Sequence, residues 1–184
     1  MDPNINLSDG SILLRPPQTS DAPAILGAVR ESLPELHPWM DWATDAYNEA
    51  SALRWLEYVQ LAWSHSSACH FAIIDPLSGQ YIGGCGVDGI NEKYRFCNLG
   101  YWVRTSRTGQ GIASRAARLV GKFAFENLGL IRAEIVIAAD NLASQRAAQK
   151  AGAHYEGILK NRMVVRTDVF DAVMYSFSPE DFKV

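Results

Sequence analysis

The chain reads as an α+β protein built on a mostly antiparallel sheet with helices packed against it. Strand-like runs occur both as adjacent pairs, which suit hairpins, and singly before helical segments, which suit βα units. Two of the strand-to-helix junctions carry glycine or Asn–Ser chemistry rather than plain turn residues. Apolar residues between the strands recur at helical spacing.

The elements follow in order. Ser11 to Arg15 is a short strand stopped by Pro16 and Pro17. Thr19, Ser20 and Asp21 offer caps for a helix over Ala22 to Glu31. Glu31 to Tyr47 reads as a loop, with Pro34 and Pro38 set against any helix. Ala52, Trp55, Leu56, Val59 and Trp63 share one face of a second helix. His70 to Asp75 and Tyr81 to Asp88 form neighbouring strands across the turn Pro76-Leu77-Ser78-Gly79, and Tyr94 to Val103 follows as a third. Ile112, Ala116, Leu119, Val120 and Phe123 make the buried stripe of the next helix, with Arg115, Arg118 and Lys122 on its solvated side and Gly129 at its end. Ile131 to Ile137 is a strand, Asn141 caps a helix that closes near Gly152, and His154 to Val165 with Asp168 to Phe177 forms a closing hairpin.

At 184 residues the chain is sized for one domain burying about 70% of its unfolded surface. A net charge of −3 argues against nucleic acid as a partner. No apolar run approaches the ~20 residues that span a bilayer, and the N-terminus shows no secretory pattern. Cys69, Cys85 and Cys97 are odd in number and form no CxxC pair, which points to reduced thiols in a cytoplasmic protein without a metal. His65, His70 and His154 are scattered and read as core or surface residues.

The strongest chemical signal is Thr108-Gly109-Gln110-Gly111-Ile112-Ala113, between a strand and a long helix. Glycines there turn backbone amides toward a ligand, and the helix start adds about half a positive charge. A Walker loop is excluded because no Lys-Ser or Lys-Thr follows, and Ser114 stands where a dinucleotide fingerprint needs its third glycine. Asn141 and Ser144 open the next βα helix; alone, Asn141 reads as an ordinary N-cap. Together the two junctions suit a long polar cofactor.

These segments, with Leu99-Gly100-Tyr101-Trp102-Val103 and Lys150-Ala-Gly152-Ala-His-Tyr-Glu156-Gly157, resemble the GNAT superfamily of acetyl-CoA-dependent N-acetyltransferases. Leu14-Arg15-Pro16, Ser20-Asp21-Ala22 and the tryptophan-bearing Leu36 to Trp42 further resemble its RimJ/RimL branch, whose members acetylate N-termini of ribosomal proteins. The resemblance covers residues 11–178 as a single N-acetyltransferase domain and implies the GNAT fold.

It also implies roles. The family's pyrophosphate loop falls on Thr108, Gly111 and Ala113, so the amides of Gly109, Gln110, Gly111, Ile112 and Ala113 would cradle the phosphates of acetyl-CoA. Thr108 departs from the family's Arg or Gln, beside Arg107. The backbone of Trp102, Val103 and Arg104 would run along the pantetheine arm and offer an amide to the thioester oxygen. Asn141 would hydrogen-bond the pantetheine, Ser144 would protonate the leaving thiolate, and Arg146 and Lys150 would meet the 3′-phosphate. Tyr101 and Trp102 read as strand-packing side chains. Relatives in the branch are often dimers, so a homodimer is compatible with the reading.

One departure bears on the acceptor. Many relatives carry a glutamate base before the Leu/Ile-Gly-Tyr element; here that position is Asn98. An α-amine with pKa ~7.8 is far closer to neutral at pH 7.4 than a lysine at ~10.4, a gap of about 3.5 kcal/mol. Without that glutamate, a protein or peptide N-terminal α-amine is the expected acceptor. Glu35, His37, Asp41 and Asp88 are the other candidate bases. Glu31, Glu35, Asp41, Asp45 and Glu49 precede the next basic residue, Arg54, giving the 31–47 segment a field that attracts a cation, with Trp39 and Trp42 as apolar walls. The same segment also fits a plain solvated loop. Two alternatives stand beside the N-terminal reading: an acetylase of small amines such as polyamines, amino sugars or antibiotics, and a non-catalytic acyl-CoA sensor.

Overall fold

A computed structural model describes residues 5–183. Its sheet has eight strands in the order Leu7–Ser8, Leu13–Arg15, Cys69–Ile74, Tyr81–Asn91, Phe96–Val103, Arg132–Ala138, Asp168–Phe177, His154–Val165, and every neighbouring pair is antiparallel except the fifth and sixth. The expected mixed, mostly antiparallel sheet is therefore present. The first strand is split: β1 (Leu7–Ser8) turns at Gly10, whose φ of +84° suits glycine, into β2 (Leu13–Arg15). The Asp9 carboxylate holds that turn by accepting from the backbone N–H groups of Ser11 and Ile12 at 2.9 and 3.1 Å.

Thr19–Asp21 forms a 3₁₀ turn before α1 (Ala22–Glu31). Asp21 caps nothing at α1; its carboxylate instead receives both Arg15 guanidinium nitrogens at 2.7 and 2.8 Å and the Gln18 N–H at 2.8 Å. The 31–47 segment is not all loop, because Leu33–Leu36 forms the one-turn α2. Pro34 lies in its first turn, where a missing N–H costs nothing. Next come α3 (Glu49–Ser64), capped by Asn48 and Ser51, then β3 (Cys69–Ile74), β4 (Tyr81–Asn91) and β5 (Phe96–Val103). The chain continues through α4 (Ile112–Glu126), β6 (Arg132–Ala138), α5 (Leu142–Ala151), β7 (His154–Val165) and β8 (Asp168–Phe177).

The sheet separates two cores. On one face α4 brings Ala116, Val120 and Phe123 against Phe71, Val87, Leu99 and Ile135, with Phe71 and Phe123 edge to face at 5.1 Å. On the other, Ile25, Val29 and Leu56 of α1 and α3 cover Ala72, Ile74 and Tyr81. Strand alternation explains the division, since a period of two sends neighbouring side chains to opposite faces. Arg118 is not merely solvated: it bonds the carbonyls of Ala151 and Asp181 and lies 4.9 Å from the centre of the Phe182 ring.

Between β6 and β7 lies a charged clamp. Both Glu156 oxygens meet Arg132 at 2.6 Å, and Arg132 also bonds Glu134 at 2.8 Å. Arg132 holds the Glu156 carboxyl down at about 2, and the Glu31 carboxyl is held at about 2 by Arg104. A carboxylate depressed on folding stabilises the fold above its unfolded value, near 4.5, and loses that contribution as pH falls towards 2. The melting temperature is accordingly expected to drop between pH 4.5 and 2, with a shallower drop in Glu156→Gln. An equal slope in that variant removes the clamp from the acid response.

Candidate active site

Strand β5 is paired with β6 only from Phe96 to Asn98, opposite Arg132 to Glu134. Beyond Asn98 the two strands part. Leu99–Val103 then has no ladder partner on the β6 side, and its outward backbone groups border a cleft. That cleft, about 690 Å³, is walled by Trp102, Val103, Thr108, Gly109, Gly111, Ile112 and Ala113 on one side and Asn141, Ser144, Arg146 and Lys150 on the other. Ten of the twelve residues expected to bind the donor thus line one cleft. Arg104 and Gln110 are not among its walls: Arg104 pairs with Glu31 and its N–H bonds the Ile82 carbonyl at 3.0 Å, while the Gln110 side chain accepts from Arg107 at 3.2 Å.

The start of α4 leaves backbone donors open. Gly109 and Gly111 both have φ of +75°, a left-handed conformation that favours glycine. Gly111 is the N-cap and no side chain caps the helix, so the first-turn amides are left for a ligand. The Lys150 ammonium lies over the same loop, 3.4 Å from where a Cβ on Gly111 would stand. Thr108 turns away, donating to the Thr105 carbonyl at 2.9 Å. Arg107 braces the loop instead, reaching Asp75 at 2.8 Å and Gln110 at 3.2 Å. The residues fit a pyrophosphate group with cationic support from Lys150.

Across the cleft, the Asn141 side-chain oxygen accepts from the Ser144 N–H at 3.1 Å and caps α5. Asn141 is therefore an N-cap, and bonding to a ligand falls to its amide nitrogen. The Ser144 hydroxyl donates to the Tyr101 hydroxyl at 3.2 Å, and that hydroxyl donates to the Ser144 carbonyl at 2.9 Å. Burial pushes the Tyr101 phenol up to about 12, so it stays protonated. Read from sequence as packing, Tyr101 in fact spans the cleft.

A second cavity of about 700 Å³ opens on the other face of β4 and β5. Its walls are Ile25, Val29, Trp42, Tyr47, Trp55 and Tyr81, and its floor is the bare strand at Gly84, Gly86 and Gly100. Met40, Tyr101 and Trp102 border both spaces, so the cleft and the cavity meet there. Asp88 lines the cavity and accepts from the Asn98 amide at 3.1 Å. His70 lines it too, held below its ordinary value by burial, with the Asp88 charge opposing. From sequence alone His70 reads as a core or surface residue. The signal was register: His70 faces Gly86, two residues from Asp88 on the same strand face.

The remaining acceptor candidates fall elsewhere. Glu35 and Trp39 line the donor cleft, Glu35 accepting from the Thr105 hydroxyl at 2.9 Å and Trp39 packing on Phe170. Asp41 lines neither space and accepts from the Arg166 N–H. His37 bonds the Ala43 carbonyl at 2.8 Å and offers its own carbonyl to Arg166. Glu31, Glu35 and Asp41 thus anchor this segment to Arg104, Thr105 and Arg166; Asp88 is a carboxylate lining the second cavity.

Gly100 offers a clean test of the cavity, because a Cβ there would meet nothing within 4 Å. Gly100→Val is expected to keep fold and donor binding while raising the acceptor KM at least tenfold. Unchanged acceptor kinetics would place the acceptor elsewhere.

An uncapped, glycine-turned helix start beside a splayed strand, joined to an aromatic cavity, defines an acyltransferase of the acyl-CoA type. Residues 11–154 match the family described as "Acetyltransferase (GNAT) domain". The chain belongs to the GNAT N-acetyltransferase family, with RimJ and RimL proteins among its structural neighbours. It is 31% identical over 162 residues to the Bacillus subtilis protein called "Probable N-acetyltransferase YjcK", covering 86% of this chain and 89% of that one. Among solved structures, a "putative ribosomal-protein-serine acetyltransferase" from Vibrio cholerae superposes with a TM-score of 0.86 at 25% identity, over 97% of this chain and all of that one (100%). RimJ of Mycobacterium smegmatis, solved with a CoA-disulfide, gives a TM-score of 0.87 at 23% identity, over 100% of this chain and 91% of that one.

Proposed function

We propose that the chain transfers the acetyl group of acetyl-CoA to the N-terminal α-amine of a protein or peptide while both substrates are held at once. The observation that carries this reading is the meeting of the donor cleft and the acceptor cavity at Met40, Tyr101 and Trp102. The first-turn amides of α4 and Lys150 would hold the pyrophosphate, and Arg146 lies along the same wall for the 3′-phosphate. Acetyl-CoA supplies an activated thioester; the unpaired edge of β5 supplies amide donors for its oxygen. The Ser144 hydroxyl is the proton source for the departing sulfur, and Tyr101 positions it.

The proton of the amine goes to His70 or Asp88, which line the cavity. Asn98 cannot serve, so an amine already partly neutral at pH 7.4 suits the site better than lysine. The Vibrio cholerae neighbour is named for a ribosomal-protein serine, which agrees with a protein acceptor. We further assign residues 11–178 to one catalytic domain and place the protein in the cytoplasm. The test is a competition among peptides with free α-amines, peptides with blocked N-termini and free lysines, polyamines and amino sugars, with products mapped by mass spectrometry. Acetylation confined to α-amines is expected. Preference for the small amines would overturn the assignment.

A further inference from the structure

His70 and Asp88 both line the acceptor cavity, and the register of the sheet separates their roles. His70 faces Gly86 across β3 and β4, and Gly86 faces Gly100 across β4 and β5. The three form one row, with two positions free of side chains between the imidazole and the far side of β5. Asp88 lies one row back, opposite Asn98. Asn98 is the last β5 residue still paired with β6, through Glu134. The open stretch of β5 that borders the donor cleft therefore includes Gly100, in the His70 row, and begins beyond the Asp88 row.

The imidazole is laid along that row. A Cβ on Gly86 would stand 3.0 Å from the His70 Nδ1 and 2.5 Å from the Cys69 carbonyl oxygen, so the ring lies against a position that only glycine can fill. A Cβ on Gly100 would meet nothing within 4 Å, which leaves the space over β5 open to an acceptor. Neighbouring strands are ~4.8 Å apart, so an amine over Gly100 is within reach of the ring directly or through one water. Trp55 and Tyr58 of α3 hold the ring, their centres 6.0 and 6.2 Å from it, and the His70 carbonyl accepts from the Trp63 Nε1 at 3.0 Å. Burial keeps this imidazole below its ordinary value, so it is neutral at pH 7.4 and able to accept a proton. The charged groups lining the cavity are Asp88 on β4 and Arg54 on α3. Burial raises the Cys85 thiol and the Tyr47 and Tyr81 phenols, which stay uncharged. The Asp88 charge favours the imidazolium.

We propose that His70 is the catalytic base of the transfer, and that Asp88, held by the Asn98 amide at 3.1 Å, stabilises the imidazolium without itself taking the proton. This rests on the reading of direct acetyl transfer above and deepens it. The neutral amine nitrogen bonds to the thioester carbon, the carbon–sulfur bond breaks, and the nitrogen gives its surplus proton to His70. The departing sulfur receives a proton from Ser144. Exchange with solvent then removes the proton from His70 and returns one to Ser144.

The test follows kcat against pH for the full-length enzyme with acetyl-CoA and the acceptor that the competition above selects. His70→Ala is expected to lower kcat about a hundredfold or more at pH 7.4 while keeping the melting shift that acetyl-CoA gives the parent. Added imidazole is expected to restore at least tenfold of that loss, in proportion to its neutral form. Asp88→Asn is expected to lose no more than about fivefold in kcat and to move the acid limb of the profile to lower pH, because the imidazolium loses its counter-charge. A His70→Ala variant within threefold of the parent would overturn the proposal, as would one that binds acetyl-CoA yet gains nothing from imidazole. So would an Asp88→Asn variant that loses a hundredfold. Should His70→Ala fail to fold, His70→Gln keeps the volume, and it must show the same loss of kcat with the donor shift intact. If the selected acceptor is a small amine, the N-terminal reading falls and the same outcomes still decide the role of His70. If His70→Ala is active on an α-amine peptide, His70 falls and the N-terminal reading stands. If no amine is acetylated, both fall.

Discussion

Gly111→Glu is expected to abolish binding of acetyl-CoA. In the parent, ligand at a hundred times its Kd adds about 2.7 kcal/mol of stability, or roughly 5–10 °C in melting temperature for a chain of this size. The substitution acts in two ways. At φ of +75°, a side chain strains the backbone by about 1–2 kcal/mol. The new carboxylate also stands where Lys150 and the first-turn amides of α4 meet the phosphates, turning an attractive site into a repulsive one. Gly111→Ala separates the two effects, because it carries the strain without the charge and is expected to keep part of the ligand-induced shift. A full shift in Gly111→Glu would mean that the loop is not the anion site.

The second large effect is expected at the Ser144–Tyr101 pair. Ser144→Ala should lower kcat about tenfold to a thousandfold, in keeping with the loss of a positioned proton donor. Acetyl-CoA affinity should change little, because the Asn141 cap is made to the backbone N–H of Ser144 and survives the substitution. Tyr101→Phe removes the hydroxyl that accepts from Ser144 and is expected to lower kcat by a smaller factor. The double variant should lose less than the product of the two, since the hydroxyls form one linked unit. Losses that multiply fully would show that they act independently, and an unchanged kcat in Ser144→Ala would remove it from proton transfer.

Much of this architecture was legible in the chain because it depends on local pattern. Alternation and turn residues define the antiparallel pairs, and the glycines at 109 and 111 mark the proposed anion site whatever the side chains around them. Two-residue strands are not legible in that way, which is why Leu7–Ser8 escapes notice: its pairing is held by the Asp9 turn rather than by periodicity. The one-turn helix at Leu33–Leu36 hides behind Pro34 for a similar reason.

The donor side of the site was easier to read than the acceptor side. The proposed donor site uses backbone amides at helix starts, which leave sequence marks. The acceptor cavity is assembled from β3, β4, β5, α1 and α3, distant in the chain, and its polar members depend on register. Asp88 was among the candidates, but His70 and Tyr81 carry no motif and become visible only when the strands are paired. Conversely, the acidic residues Glu31, Glu35, Asp41, Asp45 and Glu49 suggested an electrostatic lure for the acceptor, yet Glu31, Glu35 and Asp41 are engaged with Arg104, Thr105 and Arg166. Charge in a sequence does not reveal which charges a fold will neutralise.

The central claim is that donor and acceptor occupy two spaces meeting at Tyr101 and Trp102, with no acetylated form of the protein between them. Initial rates measured while acetyl-CoA and an α-amine peptide are varied together test it most directly. Intersecting double-reciprocal lines are expected, with no acetyl-protein detected by intact mass when acetyl-CoA is supplied alone. Parallel lines, accompanied by an acetylated protein that passes its acetyl group to the peptide, would contradict it.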